Sequence, residues 1–318
     1  MKLEVKKIRK RFEGKEVLKG VGFSVESGRA LGLLGRNGAG KTTTIRIIMD
    51  IFRADEGEVL LDGTPFDPAK NQVGYLPEER GMYPKKTVIE QMVYFAKLRG
   101  LDRASAVKNA QKWLSRLKVN EYEKRKMDTL SKGNQQKVQL AATLVCDPDI
   151  VVLDEPFSGL DPVNSQILKD VIRELISEGK IVIFSSHQMS YVEEFCEDIA
   201  IVNQGEIVLA GSLDEIKEEY GKGRKILSAL NYSLEELERL CREKLSDVLA
   251  VESRSKHNLI LRLTEGASQW NILERMREEG IEIDQYGSYE PSLNDIFVSC
   301  VGDEVPEETQ EEGGRDKL

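Results

Sequence analysis

The stretch "GRNGAGKTT" (Gly35–Thr43) sits between a short apolar run, "RALGLLG", and a segment with helical periodicity, "KTTTIRIIMDIF". It matches G-x-x-x-x-G-K-[ST], and a strand before it with a helix after it is the context that spacing requires. Gly35, Gly38 and Gly40 free the backbone to curl, so that successive N–H groups along Arg36, Asn37 and Ala39 converge on phosphate oxygens. The helix beyond adds its positive N-terminal end. In this reading Lys41 reaches β- and γ-phosphates, the Thr42 hydroxyl ligates Mg²⁺, and Thr43 closes the motif.

Outward from this loop, strands and helices alternate to about residue 218. "EVLLDG", "DIVVLDEP" and "KIVIFSS" read as strands, and "VNSQILKDVIRELISEG" is a helix between the last two. "TVIEQMVYFAKLRG", "SAVKNAQKWLSRL" and "NQQKVQLAATLVC" form a helical block over about 85–147. This order predicts an α/β fold, a P-loop NTPase core with a parallel or mixed sheet and a helical subdomain. Past the charged segment "LDEIKEEYGKGRK" the pattern changes to helix, two strands, helix, strand and short helix. That is a small C-terminal α+β domain over 219–301, of the split βαβ kind. Residues 302–318, "GDEVPEETQEEGGRDKL" with Val301 before it, are rich in acids and poor in apolar groups, and are expected to be disordered.

Two further strand ends carry chemistry. "IVVLDEP" places Asp154 and Glu155 after a four-residue apolar run, at the sheet edge where α/β proteins bind ligands. Asp154 can hold Mg²⁺ through water, and Glu155 can polarise the water that attacks the γ-phosphate. His187, in "IFSSHQ", emerges at the end of another apolar strand; a lone histidine is more often structural, but at this edge it could bond the γ-phosphate and hold that water and Glu155 in line.

These three motifs, in chain order over residues 1 to about 215, resemble the ATP-binding cassette family. The resemblance implies further roles at matching positions. "LSKGN" (Leu130–Asn134) stands where that family has its L-S-G-G-Q signature, "SGLD" (Ser158–Asp161) looks like its D-loop, and "GYLPEERGMYP" (Gly74–Pro84) occupies its Q-loop. Phe12 stands where the family has an aromatic that stacks on adenine, although a core aromatic reads equally well there. In such cassettes two copies pack head to tail. Ser131, the Gly133 N–H, Asn134 and the helix start of one copy then face the γ-phosphate held by the other, with Asp161 of the D-loop nearby. The plainer alternative is an N-capped helix with Ser131 as its cap. Lys132 and Asn134 replace the usual Gly and Gln, and Glu78 replaces a Mg²⁺-touching glutamine. A carboxylate can still ligate the ion but repels the γ-phosphate.

Composition narrows the class. The chain has 318 residues, a formal net charge of -9 and two histidines. That acidic balance argues against nucleic acid as the main partner. The four widely spaced cysteines read as thiols in a reducing compartment. No apolar run is long enough to cross a bilayer, and the N-terminus lacks a signal-peptide core. Roughly fifty residues separate Glu78 from Ser131, too few for the long coiled coil of chromosome-maintenance relatives. "GYLPEERGMYP", with "PSLNDIFV" after the small C-terminal domain, resembles the ATPases of bacterial and archaeal exporters that move drugs, sodium or lipid-linked compounds. That resemblance implies an ATPase subunit of an exporter, working with ATP and Mg²⁺. It would be cytoplasmic, peripheral on the inner face of the cell membrane, partnered by a membrane-spanning permease and by a second cassette as homodimer or heterodimer. The alternatives are a soluble cassette acting as a mechanical switch in a nucleic-acid or translation complex, and a nucleotide-binding regulator without turnover.

Overall fold

The computed structural model describes residues 1–79, 81–264 and 266–302, so the expectation of disorder at 303–318 lies outside the described residues. The chain divides into two compact units. One comprises Met1–Ala210 with the chain from Phe297 onward, and the other is Gly211–Ile296.

The first unit opens with strands β1 (Lys2–Phe12) and β2 (Lys15–Glu26), followed by β3 (Ala30–Leu34) and helix α1 (Lys41–Ile48). Strands β4 (Glu56–Leu61), β5 (Thr64–Pro65) and β6 (Val73–Leu76) come next. Helices α2 (Val88–Leu98), α3 (Arg103–Arg116) and α4 (Lys132–Leu144) form the expected helical block. Then β7 (Ile150–Asp154), α5 (Pro162–Ser177), β8 (Ile181–Ser186), α6 (Met189–Phe195), β9 (Asp198–Asn203) and β10 (Glu206–Ser212) complete the alternation.

Two sheets organise these elements. A six-stranded sheet runs β10-β9-β3-β8-β7-β6, and a four-stranded sheet runs β2-β1-β4-β5. Every residue of β3, β7 and β8 is buried. A parallel strand covered on both faces has no polar side, which is why these segments read as unbroken apolar runs. The antiparallel sheet behaves differently, burying Leu3, Val5, Val21 and Val25 in one core with Leu31 and Leu33 of β3 and Ile45 and Ile48 of α1. All helix starts in the helical block are locally specified. Thr87 and Glu90 form a reciprocal capping box, Asp102 caps α3, and Ser131 caps α4.

Register does the decisive work. Leu34 pairs with Ser186 across β3 and β8, and Asp154 pairs with Ser185 across β7 and β8. Leu76 pairs with Leu153 across β6 and β7. All these pairings are parallel, so the loops after β3, β6, β7 and β8 leave the sheet at one edge.

The second unit contains helix α7 (Leu213–Gly221), β11 (Arg224–Ala229), α8 (Leu234–Lys244), β12 (Leu249–Arg254), β13 (Leu259–Leu263), α9 (Gln269–Glu278) and β14 (Ile283–Ser288). The short helix α10 (Leu293–Val301) follows. The sheet order β12-β13-β11-β14 with helices after the first and third strands is the split βαβ arrangement. Its core gathers Leu227, Leu237, Leu249, Leu259, Ile272 and Met276. The two units divide at Ala210–Gly211, whereas the expected ATPase domain ran to 218; the charged "LDEIKEEYGKGRK" segment folds as α7 and the start of β11. Two cations at the head of β11, Arg224 and Lys225, hid its apolar continuation.

Leu33 is fully buried in the central strand of the first unit. Leu33→Ala is expected to lower the stability of this unit by about 2–5 kcal/mol. Urea unfolding followed by the fluorescence of buried Trp113, with the 79% exposed Trp270 replaced by Phe, measures it.

Candidate functional site

Between β3 and α1 the chain makes the phosphate-loop turn. Gly40 has φ of 114°, and a Cβ there would lie 2.6 Å from Leu18 Cδ2, so only glycine fits. Helix α1 begins with no side-chain cap and no acid in its first turn. Its leading N–H groups are thus left for an anion. Lys41 Nζ donates to the carbonyls of Gly35 (2.7 Å) and Arg36 (3.4 Å), which folds the ammonium over its own loop. Burial pushes the Lys41 pKa down, while Glu155, Asp154 and Glu78 pull it back up. A cavity of about 380 Å³ is lined by Arg36, Asn37, Gly38 and Gly40 through Thr43, together with Val17, Glu78, Glu155 and His187. Gly35 and Ala39 are buried beneath it.

The carboxylates sit at the edge that the register defines. Glu155 adopts φ of 49°, the left-handed region that a non-glycine residue occupies at a cost of about 1–3 kcal/mol. Its Oε2 accepts from His187 Nδ1 at 2.9 Å, and its Oε1 lies 4.0 Å from Lys41 Nζ. His187, with a side chain 54% exposed, therefore links the buried base to the open cavity. Behind them, the Ser185 hydroxyl donates to Asp154 Oδ1 at 2.5 Å and accepts from the Glu155 N–H at 3.1 Å.

The chemistry of the donor set fits Mg²⁺. Asp154 Oδ2 is buried and has no hydrogen-bond partner, an oxygen suited to a metal-bound water. Among the described residues no group of three or more His, Cys, Asp or Glu side chains converges on one point. Asp154, the Thr42 hydroxyl and Glu78 would hold the ion together with phosphate oxygens, the usual way Mg²⁺ is bound beside a nucleotide.

The remaining predicted residues lie outside this cavity. Phe12 is half-buried, its ring edge-on to Phe52 at 5.3 Å, with Lys10 Nζ 5.4 Å from its centroid. Ser131 is exposed and caps α4 by accepting from the Asn134 N–H at 3.4 Å. Gly133 faces Asn164, whose Nδ2 would be 3.3 Å from a Cβ at that position. Asp161 caps α5, accepting from the Asn164 N–H (2.8 Å) and side chain (2.6 Å), and these bonds hold its carboxyl below the usual range. Sequence reasoning missed Ser185, whose signal is the pair of hydroxyls interrupting an apolar strand just before His187. It also missed Val17, an unremarkable strand residue brought to the cavity by β2.

A phosphate loop, a strand-end Asp-Glu pair and a histidine bonded to the Glu, all on one parallel sheet edge, define a P-loop ATPase cassette. Residues 18–158 match the ABC transporter family, and residues 211–301 match the C-terminal domain of the ATP-binding protein DrrA1-3-like family. The chain is 38% identical over 301 residues to the uncharacterized ABC transporter ATP-binding protein YhaQ of Bacillus subtilis, covering 94% of this chain and 98% of that protein. It is 29% identical over 309 residues to the linearmycin resistance ATP-binding protein LnrL of the same organism, covering 94% and 98%. A solved structure of an ATP-binding subunit of an ABC transporter superposes with a TM-score of 0.65 at 29% identity, over 74% of this chain and 98% of that one. The protein belongs to the ABC transporter ATP-binding proteins, with a DrrA-like C-terminal domain. It is an ATP-binding, ATP-hydrolysing subunit, and the nucleic-acid alternative gains no support from these likenesses. Such subunits dimerise and work with membrane permeases. Among the described residues no helix is long and apolar enough to cross a membrane.

Because the His187 ring bonds the Glu155 carboxylate, His187→Ala is expected to lower kcat for phosphate release about 10²-fold while moving KM for ATP only a few-fold. Steady-state phosphate assays at varied ATP separate the two effects.

Proposed function

We propose that this chain powers an exporter from the cytoplasmic face of the membrane, in a two-cassette sandwich with a shared ATP site. The observation that carries this reading is the placement of α4. Its start is exposed, has no acid in its first turn, bears Lys132 beside Ser131, and does not line the cavity of its own chain. A helix N-terminus offers unpaired N–H donors and partial positive charge, so an anion brought by another molecule satisfies it. In a head-to-tail pair, Ser131, the Gly133 N–H and Asn134 of one cassette meet the γ-phosphate gripped by the other, with Asp161 at the seam. The second cassette is a copy of this chain or a different one.

Within one half-site, Lys41 and the loop amides neutralise the β- and γ-phosphate oxygens, and Phe12 covers the adenine. Thr42, Asp154 and Glu78 hold Mg²⁺, which when bound offsets the charge that develops on the departing phosphate. Glu155 accepts a proton from water as its oxygen attacks γ-phosphorus, and the bond to the ADP oxygen breaks to leave ADP and phosphate. His187 keeps the Glu155 carboxylate aimed at that water. Losing the γ-phosphate removes the anion that joins the α4 start of one cassette to the phosphate loop of the other and loosens the pair.

A second groove supports a permease partner. It holds about 330 Å³ beside the loop that carries Glu78, lined by Tyr75, Met82, Phe95, Leu98 and Thr143 among others. Tyr94 and Leu98, one turn apart on α2, are 50% and 66% exposed next to it. An amphipathic helix of a membrane protein fits such a site. The export direction is supported by the resistance role in the name of LnrL. The division into an ATPase domain and a smaller α+β accessory domain is supported by the two compact units and their separate cores.

Glu155→Gln is expected to cut phosphate release by about 10²–10⁴-fold and to trap an ATP-dependent dimer. Adding Ser131→Arg is expected to return it to monomer. Size-exclusion chromatography with light scattering at saturating ATP and Mg²⁺ tests both. A Glu155→Gln chain that stays monomeric even with its permease bound would remove the shared-site reading.

A further inference from the structure

We propose that Ser185 is a positioning residue for hydrolysis. Its hydroxyl sets both the Asp154 carboxylate and the Glu155 backbone, a role that rests on the reading of those carboxylates as metal holder and base. Ser185 is fully buried on β8, directly opposite Asp154 in the parallel register. The four residues before Ser185, Ile181 to Phe184, are all apolar and buried, as a doubly covered parallel strand requires. A hydroxyl in such a place is unfavourable unless its bonds are made. Here they are, and both go to the reacting carboxylate pair.

A serine hydroxyl has one proton to donate. Ser185 gives it to Asp154 Oδ1 at 2.5 Å and uses a lone pair to accept the Glu155 N–H at 3.1 Å. The first bond decides which Asp154 oxygen remains available. Oδ1 is tied and Oδ2 is the buried oxygen without a partner. The second bond holds the N–H of a residue whose φ of 49° is unfavourable for a side chain with a Cβ. That same residue presents its carboxylate to His187. One hydroxyl thus fixes the metal-facing oxygen and the base in a common frame.

The test compares the full-length chain with Ser185→Ala, Ser185→Thr and Ser185→Cys. Ser185→Ala is expected to lower kcat by about 10–100-fold while KM for ATP moves no more than about three-fold. The readout that does not depend on turnover is calorimetric binding of ADP with Mg²⁺ and with a chelator. The Mg²⁺-linked tightening should fall by about 10-fold in Ser185→Ala, and the chelator affinity should stay within about two-fold. Ser185→Thr, which keeps the hydroxyl, should restore the tightening. If Ser185→Ala does not fold, Ser185→Cys carries the test, since its thiol is nearly as small but a weak donor, and the same losses are expected. Tightening and kcat within about two-fold of the parent in Ser185→Ala, or in Ser185→Cys where Ala is unfolded, would overturn the inference even if thermal stability drops. Glu155→Gln is assayed alongside. Retained phosphate release there refutes the reading of the carboxylates, whereas its loss together with an unaffected Ser185→Ala refutes only the role given to Ser185.

Discussion

Leu34 of β3 stands opposite Ser186 of β8, and Ser185 of β8 stands opposite Asp154 of β7. A shift of either pairing by one residue would turn each side chain to the other face of the sheet. Asp154 would then point into a helix-covered core, and His187 would lose Glu155. Uniformly apolar strands buried on both faces do not fix this register by pattern alone; the polar groups at their ends help, since a slip would part the Ser185 hydroxyl from Asp154. The sheet thus places the site's side chains at one edge, and a misplacement of about 1 Å there is costly to proton transfer.

How much of this could be read from the residues alone follows from how local each signal is. The phosphate loop was fully legible, since a turn needing Gly40 at positive φ leaves its mark in the sequence itself. Glu155 and His187 were legible at one remove, because each ends an apolar run and parallel strands deliver their ends to one edge. Ser185 was not, because whether a buried hydroxyl is a spectator or a clamp depends on what lies across the ladder. The strand β11 was hidden by the Arg224–Lys225 pair at its head, and α7 by its dense charge, although its Leu213 and Ile216 are buried. Phe12 kept two readings because an aromatic beside Phe52 satisfies core packing and still leaves a face for a purine.

The opposed demands on α4 and α1 explain their different beginnings. Both lack acids in the first turn. The α1 start is buried under the phosphate loop, where a low dielectric magnifies each N–H contact with a phosphate. The α4 start is open to water and is worth about 0.3–1 kcal/mol to an anion there. Only when another surface dries it does its dipole gain weight. In the proposed two-cassette sandwich, the coupling between ATP and association would reside in that difference of environment.

Strand β5 is two residues long and ends in Pro65, and the edge strand β12 carries exposed Glu252 and Arg254. A proline has no amide proton to lend a newcomer, and paired charges resist being stripped of water, so neither border can serve as a template for another chain's backbone. A protein obliged to meet a second cassette at one place gains from being unwelcoming at these borders. Self-recognition at these two borders is thereby steered away from indiscriminate ladder extension, which in the proposed sandwich would leave the pairing to a contact that a small, consumable anion can make and unmake.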